Sequence, residues 1–200
     1  MLLAVSIDAG TKKSLGAHTI VPPCPVWVIG SYDSTGAPNM MTASWVGICC
    51  SDPPSVTVSL RTSRHSYGNI MASKAYTVNI PSIAFAKETA FFGSVSGRDV
   101  DKIAATGLTP VGSELVNAPY LAEFPLVVEC RLVETVEIGS HTMLIGEIVD
   151  VKADEGILDG DDTPVPAKLQ SFLFFPGSGN FYSAGGSIGS IGELQAEIER

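Results

Sequence analysis

Short segments of alternating apolar and polar residues recur along this chain, and each is cut off by glycine, proline or an acidic turn. Val56, Val58 and Leu60 alternate with Thr57 and Ser59, the period of a half-buried strand. Val26–Tyr32 reads as another strand. Asp33-Ser34-Thr35-Gly36 is a turn signal, and Pro38–Ser44 begins the return strand. Ala75–Ile80, Leu126–Val136 and Met143–Val151 read as further strands, and Leu173–Phe175 is a short apolar segment near the end. In Leu126–Val136 the pattern puts Val128, Cys130 and Leu132 on one face and Glu129 and Arg131 on the other, whereas Met143–Val151 is apolar enough to be buried on both. Helical spacing is sparse. It suggests short helices over His65–Ala72, over Pro81–Phe92 with Ser82 as N-cap, and over Asp99–Ala105. Strands this frequent, joined by hairpins, predict a mainly β chain: an antiparallel barrel carrying a few short helices.

The strand at Val56 runs into a loop holding Arg61, Ser63, Arg64, His65, Ser66 and Asn69. Two permanent cations, an imidazole and several hydroxyl or amide donors at a strand end suit a phosphate or another small anion. Residues 51–80 contain one acid, Asp52, and three bases, Arg61, Arg64 and Lys74, inside a chain of net charge −9. The same stretch also reads as a polar hairpin turn with solvated arginines.

Composition narrows the function. A pI near 4.7 lacks the basic face that nucleic acid or an anionic membrane requires. No apolar run reaches the roughly 18 residues of a spanning helix. The first residues begin apolar but lack a basic flank, so no signal peptide is read. Two hundred residues at 45% hydrophobic suffice for one domain with a sizeable core. The expected organisation is a single domain over 1–200, with a flexible extension over about 1–20 and a flexible tail over about 183–200. Four cysteines (Cys24, Cys49, Cys50 and Cys130) show no C-x-x-C spacing. Reduced thiols and the absence of an N-x-S/T sequon lead us to expect a cytoplasmic protein. His18, His65 and His141 have no metal-ligand spacing, so no metal site is expected. The tail glycines Gly186, Gly189 and Gly192 do not make a dinucleotide-binding fingerprint, and no G-x-S-x-G elbow is present.

Four blocks recur in order between about Pro25 and Tyr182: PNMMTASWVGICCSDPPSVTVSLRTSRHSYGNI (38–70), YTVNIPS (76–82), SGRDVDKI (96–103) and GSHTMLIGEIVDV (139–151). Together they resemble the flavin reductase-like, FMN-binding split-barrel proteins, and most of all their flavoredoxin branch. Two positions depart from the family pattern: Ile148 where valine is usual, and Ser66 where threonine is common. The resemblance implies a split β-barrel of antiparallel, Greek-key type, assembled as a homodimer with one FMN per subunit near the dimer interface. It implies that Asn39 and Thr42, Ala43, Ser44 and Trp45 line the isoalloxazine and ribityl region. Ser59, Leu60 and Arg61 would border the ring, chiefly through backbone groups. Ser63, Arg64, His65, Ser66 and Asn69 would hold the phosphate side, in agreement with the anion socket read from charge. Tyr182 would contact the flavin from this subunit or its partner, and His141 would stand where a nicotinamide approaches. Taken as residues alone, His141 is an edge histidine, Trp45 a core residue that can also wall the cofactor, and Lys102 and Arg98 solvated charges, with Lys102 alternatively facing a nicotinamide phosphate. Two functions remain open: an NAD(P)H-dependent flavin reductase using NADH or NADPH, and a flavoredoxin-type electron carrier serving a redox protein partner.

Overall fold

The computed structural model describes residues 10–198. Residues 10–23 carry neither helix nor strand, and the start of the expected N-terminal extension lies outside the described residues. The elements then follow as β1 (Cys24–Pro25), β2 (Trp27–Tyr32), β3 (Pro38–Ala43), β4 (Val46–Ser51), β5 (Pro54–Leu60), α1 (His65–Ser73) and β6 (Ala75–Ile80). A 3₁₀ turn over Ile83–Phe85 leads into α2 (Ala86–Ser94) and α3 (Lys102–Thr106). After them come β7 (Pro110–Gly112), β8 (Pro119–Leu121), the long pair β9 (Leu126–Ile138) and β10 (His141–Ala153), and α4 (Pro166–Leu169). The chain ends with β11 (Phe172–Phe175), β12 (Asn180–Ser183) and α5 (Ile191–Ile198).

Seven strands form one antiparallel sheet in the order β3-β2-β6-β9-β10-β5-β4. It curls on itself: Met41 and Ala43 of the β3 edge share one buried cluster with Val56, Val58 and Leu60 of β5. Tyr76, Cys130 and Leu144 complete that interior. A second cluster lies on the outer face of β2 and β3, where Val28 and Met40 meet Phe92 of α2 together with Leu108, Leu121 and Phe124. The small sheet β1-β11-β12 packs outside the barrel, and β7 pairs with β8.

Local chemistry accounts for the joints. Asp33 Oδ1 accepts from Thr35 N at 2.8 Å and from Ala37 N at 3.0 Å, and Gly36 adopts φ 83, so the DSTG turn sets the β2–β3 hairpin. Across β2 and β6, Asn79 Nδ2 donates to Val28 O at 3.0 Å and to Thr77 Oγ1 at 2.9 Å, while Asn79 Oδ1 accepts from Leu121 N at 2.9 Å. This buried network pins β8 to the barrel.

Four local expectations change. The helix expected from Pro81 opens as a 3₁₀ turn, and the Ser82 side chain makes no capping bond. The helix expected from Asp99 begins at Lys102, because the Asp101 side chain caps it by accepting from Ala104 N at 3.0 Å. In β10 only the alternate residues Thr142, Leu144 and Gly146 are buried, so one face of that strand stays partly open. Glu129, on the polar face of β9, is fully buried beneath Lys152, whose Nζ lies 2.6 Å from Glu129 Oε2.

Candidate functional site: a two-lobed cleft at the end of the barrel

At the end of the barrel where β3 and β5 finish and β10 starts, the surface opens into a cleft of two adjoining lobes. One holds about 600 Å³, the other about 470 Å³, and Met41, Arg61 and Arg64 line both.

The larger lobe is walled by Ala43, Ser44 and Trp45 on one side and by Ser59, Leu60 and His141 on the other. Its floor is fixed by backbone pairing: Ser59 N donates to Trp45 O at 2.9 Å, and Leu60 pairs with Thr142. α2 supplies a third wall. Thr42 Oγ1 donates to Thr89 O at 2.5 Å, and Gly93 sits so close to Thr42 that an added Cβ would lie 3.2 Å from the Thr42 Cβ. The β11–β12 hairpin supplies the fourth wall through Phe174, Asn180 and Phe181. Phe174 stacks obliquely near Trp45, with ring centroids 6.4 Å apart. His141 Nδ1 lies 2.9 Å from Ser140 Oγ, a contact that orients the imidazole at the rim.

The smaller lobe is polar. Ser63, Arg64, His65 and Ser66 enter from the β5–α1 junction, and Asn39 from β3. Asn39 Nδ2 donates to the buried Ser66 Oγ at 2.8 Å. The loop between α2 and α3 closes the far side, with Arg98 Nη1 donating to Ser63 O at 2.8 Å. Gly97 in that loop has no room for a Cβ, which would overlap Asn39 Oδ1.

Lys102 is the residue that sequence reasoning placed differently. It is no surface charge: only 4% exposed, it donates to Met40 O and to Phe92 O, each at 2.8 Å, and it lines the polar lobe. Burial, and then the nearby Arg64 guanidinium, lowers its pKa to about 8. An ammonium has three N–H groups, and these two carbonyls leave one for the lobe.

Two expected residues stand apart. Asn69 is turned toward β2, where its Nδ2 donates to Ser31 Oγ at 3.2 Å. Tyr182 is 44% exposed and packs edge-on against Phe175, with centroids 4.7 Å apart, while its neighbour Phe181 faces the cleft. The α2 wall and the aromatic hairpin were not foreseen. FLFF reads only as a short apolar segment, and nothing local says that it pairs with NFYS or returns to Trp45.

A family model described as the flavin reductase like domain matches residues 22–169. The chain belongs to this family. Flavoredoxin of Desulfovibrio vulgaris (Miyazaki F) is 44% identical over 90% of this chain and 97% of its own, with a TM-score of 0.87. A protein of Shewanella frigidimarina NCIMB 400, described as having the split barrel domain of a flavin reductase, is 25% identical over 84% of this chain and 85% of its own, with a TM-score of 0.76. The high molecular weight rubredoxin of Moorella thermoacetica is 32% identical over 118 residues, which are 56% of this chain and 48% of that protein. The mainly β architecture is thus the split barrel of flavin reductase-like proteins, shared with flavoredoxin and flavin reductases. Among the described residues no helix is long and apolar enough to cross a membrane.

Proposed function

We propose that this chain is an FMN-binding flavoprotein oxidoreductase that takes hydride from NADH or NADPH. The observation that carries this reading is the cleft itself, an apolar, aromatic-walled lobe continuous with a cationic one. FMN has the same division, a flat and largely apolar ring at one end and a phosphate dianion at the other. Arg64, Lys102 and the Ser63 and Ser66 hydroxyls offer charge-assisted and neutral hydrogen bonds at the phosphate end. Ser44, Trp45, Ser59, Leu60 and Arg61 border the larger lobe. The flavin would supply the hydride-accepting and electron-transferring chemistry. The protein's part is to orient the ring between Trp45 and the β5–β10 edge, hold the phosphate, and present His141 at the rim.

The deciding test is an absorption spectrum after FMN addition and desalting, followed by anaerobic NADH and NADPH. A retained flavin spectrum that bleaches with either nucleotide supports the reductase and names the donor. The 44% identity to a flavoredoxin favours a second reading, an electron carrier with FMN held tightly. A retained spectrum that only a reduced redox protein bleaches would select it, and a protein that retains no flavin would defeat both as stated.

Two substitutions separate the roles within the cleft. Arg64→Ala is expected to weaken FMN roughly tenfold or more, the loss of a charge-assisted bond, and riboflavin little, as fluorescence titration would show. Equal losses for both ligands would remove Arg64 from the phosphate. His141→Ala is expected to slow reduction by nucleotide while FMN stays bound. An unchanged rate in stopped-flow would leave His141 a structural edge residue.

A homodimer belongs to the same reading. Val133, Val136 and Ile138 of β9 are exposed apolar residues, and a second copy would cover them. A cytoplasmic setting completes it.

A further inference from the structure

Among the described residues, the Arg61 guanidinium has no protein partner. Arg98 is anchored on Ser63 O, Lys102 on two carbonyls, and Arg64 reaches Gly93 O at 3.4 Å. Arg61 makes no such side-chain bond, no ion pair involves it, and it is exposed. Yet it lines both lobes. It follows directly on Leu60, whose partner in β10 is Thr142, so the next position along that ladder sets Arg61 beside His141. The charge of the polar lobe is also more than one phosphate needs. Arg61, Arg64, Arg98 and Lys102 meet a single acid, Asp99, among the residues that line it. A phosphate dianion held by Arg64 and Lys102 leaves the lobe net positive, and the surplus faces outward at the junction. An exposed guanidinium free of protein partners is available to bind a diphosphate through paired N–H groups.

Nicotinamide nucleotides carry a diphosphate joined to the reactive ring through a single ribose. With the nicotinamide in the larger lobe, the inner end of the cleft is taken by the flavin phosphate, and the nucleotide must leave over the rim. We infer that the Arg61 side chain anchors the diphosphate of the incoming nucleotide donor at that rim and is not a ligand of the flavin phosphate. This inference rests on the hydride-donor reading above. Arg61 would serve NADH and NADPH alike, because both carry the same diphosphate.

The test uses FMN-loaded protein and ADP-ribose, a donor fragment that cannot be oxidised. By isothermal titration, Arg61→Ala is expected to weaken ADP-ribose binding roughly tenfold, with Arg61→Lys in between. FMN affinity should stay within about threefold, the typical context variation for a group outside the flavin contacts. The KM for NADH and for NADPH should rise by a common factor with kcat unchanged, the signature of binding lost equally from ground and transition states. Arg61→Ala that weakens FMN tenfold, or that leaves both ADP-ribose binding and KM unchanged, overturns the inference alone. Wild-type protein that neither binds ADP-ribose nor is bleached by a nucleotide overturns the reductase reading and the inference together.

Discussion

Gly30→Ala is expected to destabilise the protein by about 3 kcal/mol and to lower its melting temperature by roughly 10 °C. Gly30 lies in the middle of β2, fully buried between Met40 of β3 and Thr77 of β6. An added Cβ would overlap the Pro119 carbonyl oxygen and the Thr77 hydroxyl. Those two atoms are themselves bonded, with Thr77 Oγ1 donating to Pro119 O at 2.5 Å. The methyl would therefore part a buried hydrogen bond, and backbone would have to move, since a carbonyl cannot swing away as a flexible side-chain end can. Asn79 shares Thr77 Oγ1 and also holds Leu121 N, so the disturbance reaches the whole attachment of β8. Gly68→Ala is the control. It lies within α1 with nothing within 4 Å of an added Cβ, and helix propensity makes it neutral or stabilising by up to about 1 kcal/mol. Thermal melts of both variants check the pair, and a Gly30→Ala protein that melts with the wild type would show that β8 yields without cost.

Lys102→Met is expected to weaken FMN by at least about tenfold at pH 7 and to remove a pH dependence that the wild type shows above pH 8. Met40 O and Phe92 O lose their shared donor, which loosens the seam between β3 and α2, and the polar lobe loses an inward-facing cation. The sign of the pH effect follows from the lowered pKa. In the flavin-free fold Lys102 gives up its proton near pH 8, whereas the unfolded chain keeps it to about 10.5. Between these values the unfolded state holds more protons, so this residue makes stability rise with pH, and below pH 8 it contributes no slope. Ligand binding runs the other way. A phosphate dianion beside Lys102 raises its pKa again, so FMN binding above pH 8 takes up a proton and affinity falls as pH climbs. Titrations of FMN at pH 7, 8, 9 and 10, in buffers of different ionisation enthalpy, measure that uptake. Equal pH profiles for the wild type and Lys102→Met would place the linked proton elsewhere.

Much of this protein was legible where the chemistry is local. Alternation at Val56–Leu60 located β5, and the cations and hydroxyls that follow it lie together in one lobe because they are neighbours in sequence on a single strand-to-helix junction. The turn at Asp33 was legible because one carboxylate can satisfy the donors of its own loop. β4 was harder to read: Val46–Ser51 runs along the sheet edge, mostly exposed and without alternation. That Lys102 can face a phosphate was legible, but its burial was not. A lysine beside acids on a short amphipathic segment reads as solvated, and only the packing of α3 between β3 and α2 brings two uncapped carbonyls to its ammonium. Asn69 and Tyr182 differ from their neighbours only by the rotation of a helix or the side of a strand, which depends on what those elements pack against.

The sequence by itself therefore determined a mainly β chain, a family, and the run of residues that makes a cationic strand end. The tertiary structure alone decided that the cleft has four walls, that two of them come from α2 and from a hairpin more than 100 residues beyond Trp45, and that one lysine is buried while one arginine is free. The reason is physical. Strand period and turn chemistry act over a few residues, whereas burial and the pairing of charges depend on which distant segments share a surface.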